Sequence, residues 1–192
     1  KLGLEPGHLL VDPFCGTGTT LVEAKKRGVR SCGLEAHPMA HFASRVKTNW
    51  AISADALRQD AERVARTALR TLEQTNGELR RLSPEEENVL LSHSISPVPL
   101  HKCLVLRDAI LAQPTSAIRD VELLALAWVA VFEASNLKFG PEVGVRRAKR
   151  LDAAVLEAWR TKVRSMAGDL SEFASRLPVA SECALADARC AL

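Results

Sequence analysis

Apolar positions along this 192-residue chain change their spacing twice, and each change predicts a change of structure. Leu9-Leu10-Val11 is a short apolar run, Gly16 and Gly18 punctuate the stretch after it, and Thr19 to Arg27 suits a helix. Gly28 stops that helix and Val29 to Leu34 supplies a second strand. Pro38, tolerated in a first helical turn, opens a helix toward Val46. Strand, helix, strand, helix in that order predicts a parallel sheet. From about residue 51 the spacing becomes helical, with Leu57, Ala61, Val64, Ala68 and Leu72 on one face and arginines and acids on the other. Asn76-Gly77 is predicted to end that helix and Ser83-Pro84-Glu85-Glu86 to cap another. Ser92 to Leu100, with Pro97 and Pro99, reads as loop, and helix resumes near Lys102 and near Ile118. The longest stripe is Leu151, Val155, Trp159, Val163, Met166, Leu170, Phe173 and Leu177, read as core. Pro178 ends it, and Ala180 to Ala186 predicts a third strand that finishes at Asp187.

The sheet is therefore predicted to be split. Residues 1–50 and 179–192 form an α/β half, and residues 51–178 form a large all-helical insertion between its second and third strands. Hydrophobic residues make up 47% of the chain and charged residues 26%, enough apolar surface to fold and too little charge for disorder. The net charge of +3 selects no partner. Five scattered cysteines and the lack of a basic-then-apolar leader predict a reducing, cytoplasmic setting. Leu123 to Phe132, the longest apolar run, is about half of what a bilayer requires and reads as a buried helix.

The chemistry concentrates in Asp12-Pro13-Phe14-Cys15-Gly16-Thr17-Gly18-Thr19-Thr20, at the carboxyl end of the first strand and the mouth of the next helix, where open α/β sheets bind ligands. Glycines there let the backbone approach a ligand, and the helix end offers unpaired N–H groups. Leu21 stands where a dinucleotide fingerprint wants its third glycine, which disfavours nicotinamide cofactors. A carboxylate at Asp12 would repel a pyrophosphate but suits a ligand carrying ammonium and sulfonium charges. S-adenosylmethionine has both.

This loop, followed by Leu21-Val22-Glu23-Ala24, resembles motif I of the DNA methyltransferases that modify exocyclic amino groups, with a Rossmann-like methyltransferase sheet of which this chain holds a part. The resemblance implies that Asp12, Pro13, Phe14, Cys15, Gly16, Gly18, Thr19 and Thr20 surround the methionine end of S-adenosylmethionine. Gly33-Leu34-Glu35-Ala36-His37-Pro38 is similar to motif II, which implies Glu35 on the ribose hydroxyls and Pro38 beside the adenine; His37 departs from the more usual Asn or Asp. Ala186-Asp187-Ala188-Arg189 resembles motif III, which implies Asp187 and Ala188 at the adenine amino group.

The family's catalytic motif, Ser/Asn/Asp-Pro-Pro-aromatic, grips and stacks on a flipped base. None of the nine prolines here is adjacent to another and there is no tyrosine. Ser96-Pro97-Val98-Pro99-Leu100 lacks both the paired prolines and the aromatic. No catalytic residue is therefore assigned within the chain, and the motif is expected from a following segment or a second polypeptide.

DNA is the expected partner of the complete enzyme. An RNA methyltransferase acting on guanine, or a non-catalytic module that senses cofactor or docks a partner, are the alternatives. Lys138, Arg146, Arg147, Lys149 and Arg150 lie in a glycine-containing stretch suited to backbone phosphates, next to Ser135-Asn136 and Phe139-Gly140-Pro141, which resemble a stretch in some DNA methyltransferases. No metal site is predicted: His93, His101 and Cys103, or His37 and His41, make no four-ligand set. Cys15 is read as a packed residue.

Overall fold

The structure is a computed structural model, and it describes residues 3–75, 77–173 and 179–190. The chain divides into two compact units, residues 1–54 with 168–192, and residues 55–167.

The first unit is built on three parallel strands, β1 (Leu9–Asp12), β2 (Arg30–Glu35) and β5 (Ser181–Leu185), in the order β1-β2-β5. The register sets Asp12 beside Gly33 and Glu35 beside Leu185, so all three strands present their carboxyl ends together. Ser31 and Ser181 hydroxyls bond across the β2–β5 pair at 2.8 Å.

Helix α1 (Thr19–Lys26) buries Leu21 and Ala24 and places Lys25 and Lys26 in its last turn, where cations suit the helix dipole. Its end is a Schellman motif: Gly28 donates to Lys25 and Val29 to Ala24, and Gly28 takes the left-handed φ of 72° that such a stop needs. Helix α2 (Pro38–Thr48) has Pro38 in its first turn and His37 as its cap, the ring Nδ1 accepting from the Ala40 N–H. That gives His37 a structural task. Trp50 stacks on Phe173, ring centroids 5.2 Å apart.

The second unit opens with α3 (Ala54–Glu73), whose Leu57, Ala61, Val64 and Ala68 are buried as their spacing predicts. Asn76, expected to end this helix, lies outside the described residues. Helix α4 (Pro84–Asn88) has the full capping box of Ser83 and Glu86. The predicted loop over 92–100 is wrong in its second half. Helix α5 (Pro97–Leu111) begins at Pro97, because Pro97 and Pro99 both fall within the first turn, where a missing N–H costs nothing. α5 buries residues on nearly all sides, among them His101, Val105, Leu106 and Ile110.

Helix α6 (Ala117–Val129) continues into a π-helical turn, Ala130–Ala134. The apolar run Leu123–Phe132 is not a buried helix throughout: Ala125, Leu126 and Val129 are buried, but Trp128, Val131 and Phe132 are exposed. The helical period turns one side of the run outward. Helix α7 (Val155–Phe173) buries Val155, Trp159, Val163 and Ala167. Leu151, expected on that stripe, precedes the helix and is 72% exposed, while Leu177 and Pro178 lie outside the described residues.

The insertion is also not all-helical. β3 (Leu137–Lys138) and β4 (Gly144–Val145) pair antiparallel, and Ile95 bridges Ser135. Strands of two residues around Gly140-Pro141 are too short to show an alternating pattern. No helix among the described residues is long and apolar enough to cross a membrane.

Candidate functional site

The expected site residues gather where the three parallel strands end. Asp12 closes β1, Glu35 closes β2, and Asp187 follows β5, with the Ala186 N–H donating to the Glu35 carbonyl to hold the last two tips together. Each carboxylate accepts the backbone N–H two residues on. Asp12 Oδ1 takes Phe14 at 3.1 Å, Glu35 Oε1 takes His37 at 2.7 Å, and Asp187 Oδ1 takes Arg189 at 2.9 Å. One turn is thus used three times. Among the described residues no hydrogen bond engages Asp12 Oδ2 or Glu35 Oε2. Asp187 differs, because the Arg189 guanidinium also grips both of its oxygens and holds its carboxyl below the usual carboxylate range. A ligand amine reaching Asp187 shares it with Arg189.

The loop from Asp12 to Gly18 is fixed from below. The Cys15 N–H donates to the Leu34 carbonyl, tying the loop to β2, and the Gly18 N–H donates to the Cys15 carbonyl. Cys15 is buried, its Sγ 3.4 Å from Cys183 Sγ, and burial pushes its thiol up to about 12. It is a packed residue, as expected, and not a nucleophile. His41 places its Nε2 3.0 Å from the Cys183 carbonyl, so the His37 and His41 pair serves a cap and a strand.

The two loop glycines have different causes. Gly18, at φ 80°, has no room for a side chain: a Cβ would lie 2.9 Å from the Ser44 Cα of α2. Gly16, at φ 54°, faces open space, with nothing within 4 Å of a Cβ built on it. Gly18 is thus required by packing and Gly16 by backbone conformation beside an open space. Phe14 projects at 78% exposure, and Pro13, Thr19, Thr20 and Pro38 of the segments after the first two strand tips are exposed, with Ala188 after the third half-buried.

Residues 2–81, which hold the first two strand tips and their loops, match the RMKL-like methyltransferase domain family, UPF0020. The chain carries a methyltransferase domain. It is also similar to the type II methyltransferase M.BsoBI of Geobacillus stearothermophilus, 40% identical over 48 residues. That alignment takes in 25% of this chain and 9% of the relative, so the chain matches only a small part of that protein's length. No solved structure matches it. The sheet of the first unit thus brings Asp12, Gly16, Gly18 and Glu35, which lie within the matched segment, to the same end as Asp187, which lies beyond it.

The basic stretch of the second unit is ordered by a residue that sequence reasoning treated only as a neighbour. Asn136, 1% exposed, donates from its side chain to the His93 carbonyl and the Ser96 hydroxyl, each at 3.1 Å, and accepts the Arg150 N–H at 2.8 Å. Its backbone donates to Ser94 and accepts from Arg146. Arg146 spends its Nε on the Leu137 carbonyl, and Arg150 spends its guanidinium on the Phe132 and Ser135 carbonyls. Lys138, Arg147 and Lys149 are exposed. Ser96, the nearest approach to a catalytic serine, is buried against Asn136. His101 Nδ1 accepts the Arg80 N–H.

Proposed function

We propose that this methyltransferase domain binds S-adenosylmethionine at the three strand tips and serves an enzyme that methylates an exocyclic amino group of a base in DNA. The observation that carries the reading is the pair of carboxylates, Asp12 and Glu35, each pinned through one oxygen by the N–H two residues on and each keeping the other oxygen for a ligand. In this reading Asp12 and the loop through Thr20 hold the methionine end, Glu35 takes the ribose hydroxyls, Pro38 flanks the adenine, and Asp187 with Ala188 meets the adenine amino group. When bound, the cofactor supplies the electrophilic methyl group. The chain's residues orient it, and Gly16 leaves the backbone open on the side of approach.

The paired-proline aromatic motif is not among these 192 residues, and we infer that it comes from another segment or a second polypeptide. Leu9 and Val11 of the edge strand β1 are 55% and 60% exposed, a surface that parallel sheets ordinarily bury, and they offer that segment a place to pack. Similarity to a type II methyltransferase and the Thr19-Thr20 pair favour DNA. The RMKL-like family match favours the second reading, an RNA guanine amino-methyltransferase.

Irradiating the chain with methyl-labelled S-adenosylmethionine and mapping the labelled peptide tests the site. The label is expected between residues 12 and 38, and label in the insertion would overturn the assignment. Incubating the whole protein with DNA and with RNA, then hydrolysing to nucleosides, separates the two readings. Methylated cytosine or adenine from DNA supports the first, and methylated guanine from RNA the second.

A further inference from the structure

Eight aromatic side chains, five Phe and three Trp, occur in the whole sequence, and three of them stand together on the outside of the second unit. Trp128 leans on Phe132 with ring centroids 5.3 Å apart, and Phe132 leans on Phe139 at 5.3 Å. They are 37%, 45% and 50% exposed. Trp128 and Phe132 are four residues apart on α6 and the π-helical turn, and Phe139 reaches them from the β3–β4 hairpin. A π-helical turn at the end of an α-helix is a frequent mark of a functional surface.

The rings are set in mostly positive charge, with Glu133 an exposed acid beside Phe132 on the same turn. Lys162 Nζ sits 4.4 Å from the Trp128 ring centroid, Arg150 bonds to the Phe132 carbonyl, and the exposed Lys138, Arg147 and Lys149 belong to the hairpin and the strand end that Asn136 and Arg150 tie to the same turn. From Lys138 to Arg150 five bases face one acid, Glu142.

We infer that this ladder and its basic rim form a binding surface for a nucleic-acid strand with unpaired bases: the open faces of Phe132 and Phe139 stack bases, and Lys138, Arg147 and Lys149 take phosphates. Stacking platforms beside basic side chains are how single strands are held without sequence readout. Charge alone would suit any acidic partner, but a row of three exposed rings within that charge suits flat, anionic polymers. The surface belongs to the second unit, and the inference rests on the proposed nucleic-acid substrate.

The test is fluorescence anisotropy with a labelled single-stranded oligonucleotide and with its blunt duplex, on the whole chain, at several salt concentrations. Wild type is expected to bind the single strand more tightly than the duplex. Phe132→Ala and Phe139→Ala should each weaken binding about 5- to 100-fold, the range for one lost base stack. Phe139→Leu should weaken it nearly as much while keeping apolar bulk, and the triple change Lys138→Ala, Arg147→Ala, Lys149→Ala should flatten the salt dependence. Calorimetric binding of S-adenosylmethionine should be unchanged in every variant, and urea unfolding followed through the buried Trp159 of the second unit shows that they are folded. Wild-type affinity in folded ring variants would overturn the surface, as would polyglutamate displacing the strand as well as unlabelled oligonucleotide does. If wild type binds S-adenosylmethionine but no nucleic acid, both this surface and the nucleic-acid substrate fall while the cofactor site stands. Loss of cofactor binding alone would strike the cofactor site and leave this surface supported.

Discussion

Asp12 and Asn136 are polar side chains that each accept a backbone N–H, yet they sit at opposite extremes of how a fold uses polarity. Asp12 bonds only to the residue two places on, at the rim of an open loop, and keeps one oxygen unengaged among the described residues. Asn136 is buried, and its side chain reaches 43, 40 and 14 residues along the chain to satisfy three groups. A local bond orients a side chain without spending it. A set of long-range bonds spends it on holding segments together, and nothing is left for a ligand. The Ser-Asn pair resembles a functional stretch, and its asparagine is a fastener; the proposed ligand contacts of that region are the rings and lysines around it.

The contrast is sharpest in the variant expected to do most damage. Asn136→Ala leaves the buried Ser96 hydroxyl and the part-buried His93 carbonyl and Arg150 N–H without their bonds. It should destabilise the second unit by about 4 kcal/mol, at roughly 1–3 kcal/mol for each group left unsatisfied. Urea unfolding followed through the buried Trp159 measures it. A loss below about 1 kcal/mol would show that Asn136 holds little together.

Gly18→Ala comes next, because the added Cβ meets Ser44 and the residue must hold φ 80°. A cost of about 3 kcal/mol is expected from overpacking and a left-handed backbone together. Gly16→Ala breaks the symmetry of the pair. Facing open space, it should cost only about 1 kcal/mol of stability for its φ of 54°, yet weaken S-adenosylmethionine binding well beyond that if ligand approaches on that side. Equal losses of stability in the two variants, or undiminished cofactor binding in Gly16→Ala, would remove the distinction between a packing glycine and a ligand-facing one.

Glu122 extends the comparison to a titratable group. It is fully buried, with its Oε2 held by Gln113, and burial first, then the neighbouring Asp60, raises its carboxyl from 4.5 to about 8. The folded chain therefore keeps a proton that the unfolded chain has released between those values, so stability is full below the lower one and falls as pH rises toward the upper. Unfolding at pH 8 should show the second unit about 2 kcal/mol less stable than at pH 6, and Glu122→Gln should abolish the difference. A pH-independent wild type would contradict a proton on Glu122.

The same distinction decides how much was legible in the sequence. The turns at the strand tips were readable because their parts are local: Asp12 with its glycines, and Glu35 with Pro38, lie within a few residues, and the Gly28 stop and the Ser83 cap are equally short-range. The features that escaped depend on distant partners. Pro97 and Pro99 read as loop because a first turn and a loop tolerate proline alike, and only burial of α5 decides between them. The Asn136 hub joins segments up to 43 residues apart, the two-residue strands are too short to show an alternating pattern, and the ring ladder depends on the hairpin that carries Phe139. The exposed rings could have been suspected from Trp128 and Phe132, four apart at the end of an apolar helix with basic residues beyond it.

The proposed cofactor site requires that the three strand tips bind S-adenosylmethionine through Asp12 and Glu35. Calorimetric titration of the chain with that cofactor, alongside Asp12→Ala and Glu35→Ala, tests it most directly. The wild type should bind with micromolar affinity and both variants should lose binding, with the variants' stability within about 0.5 kcal/mol of wild type because neither side chain is buried in a network. A folded wild type that gives no heat, or variants that bind as tightly as it does, would contradict it.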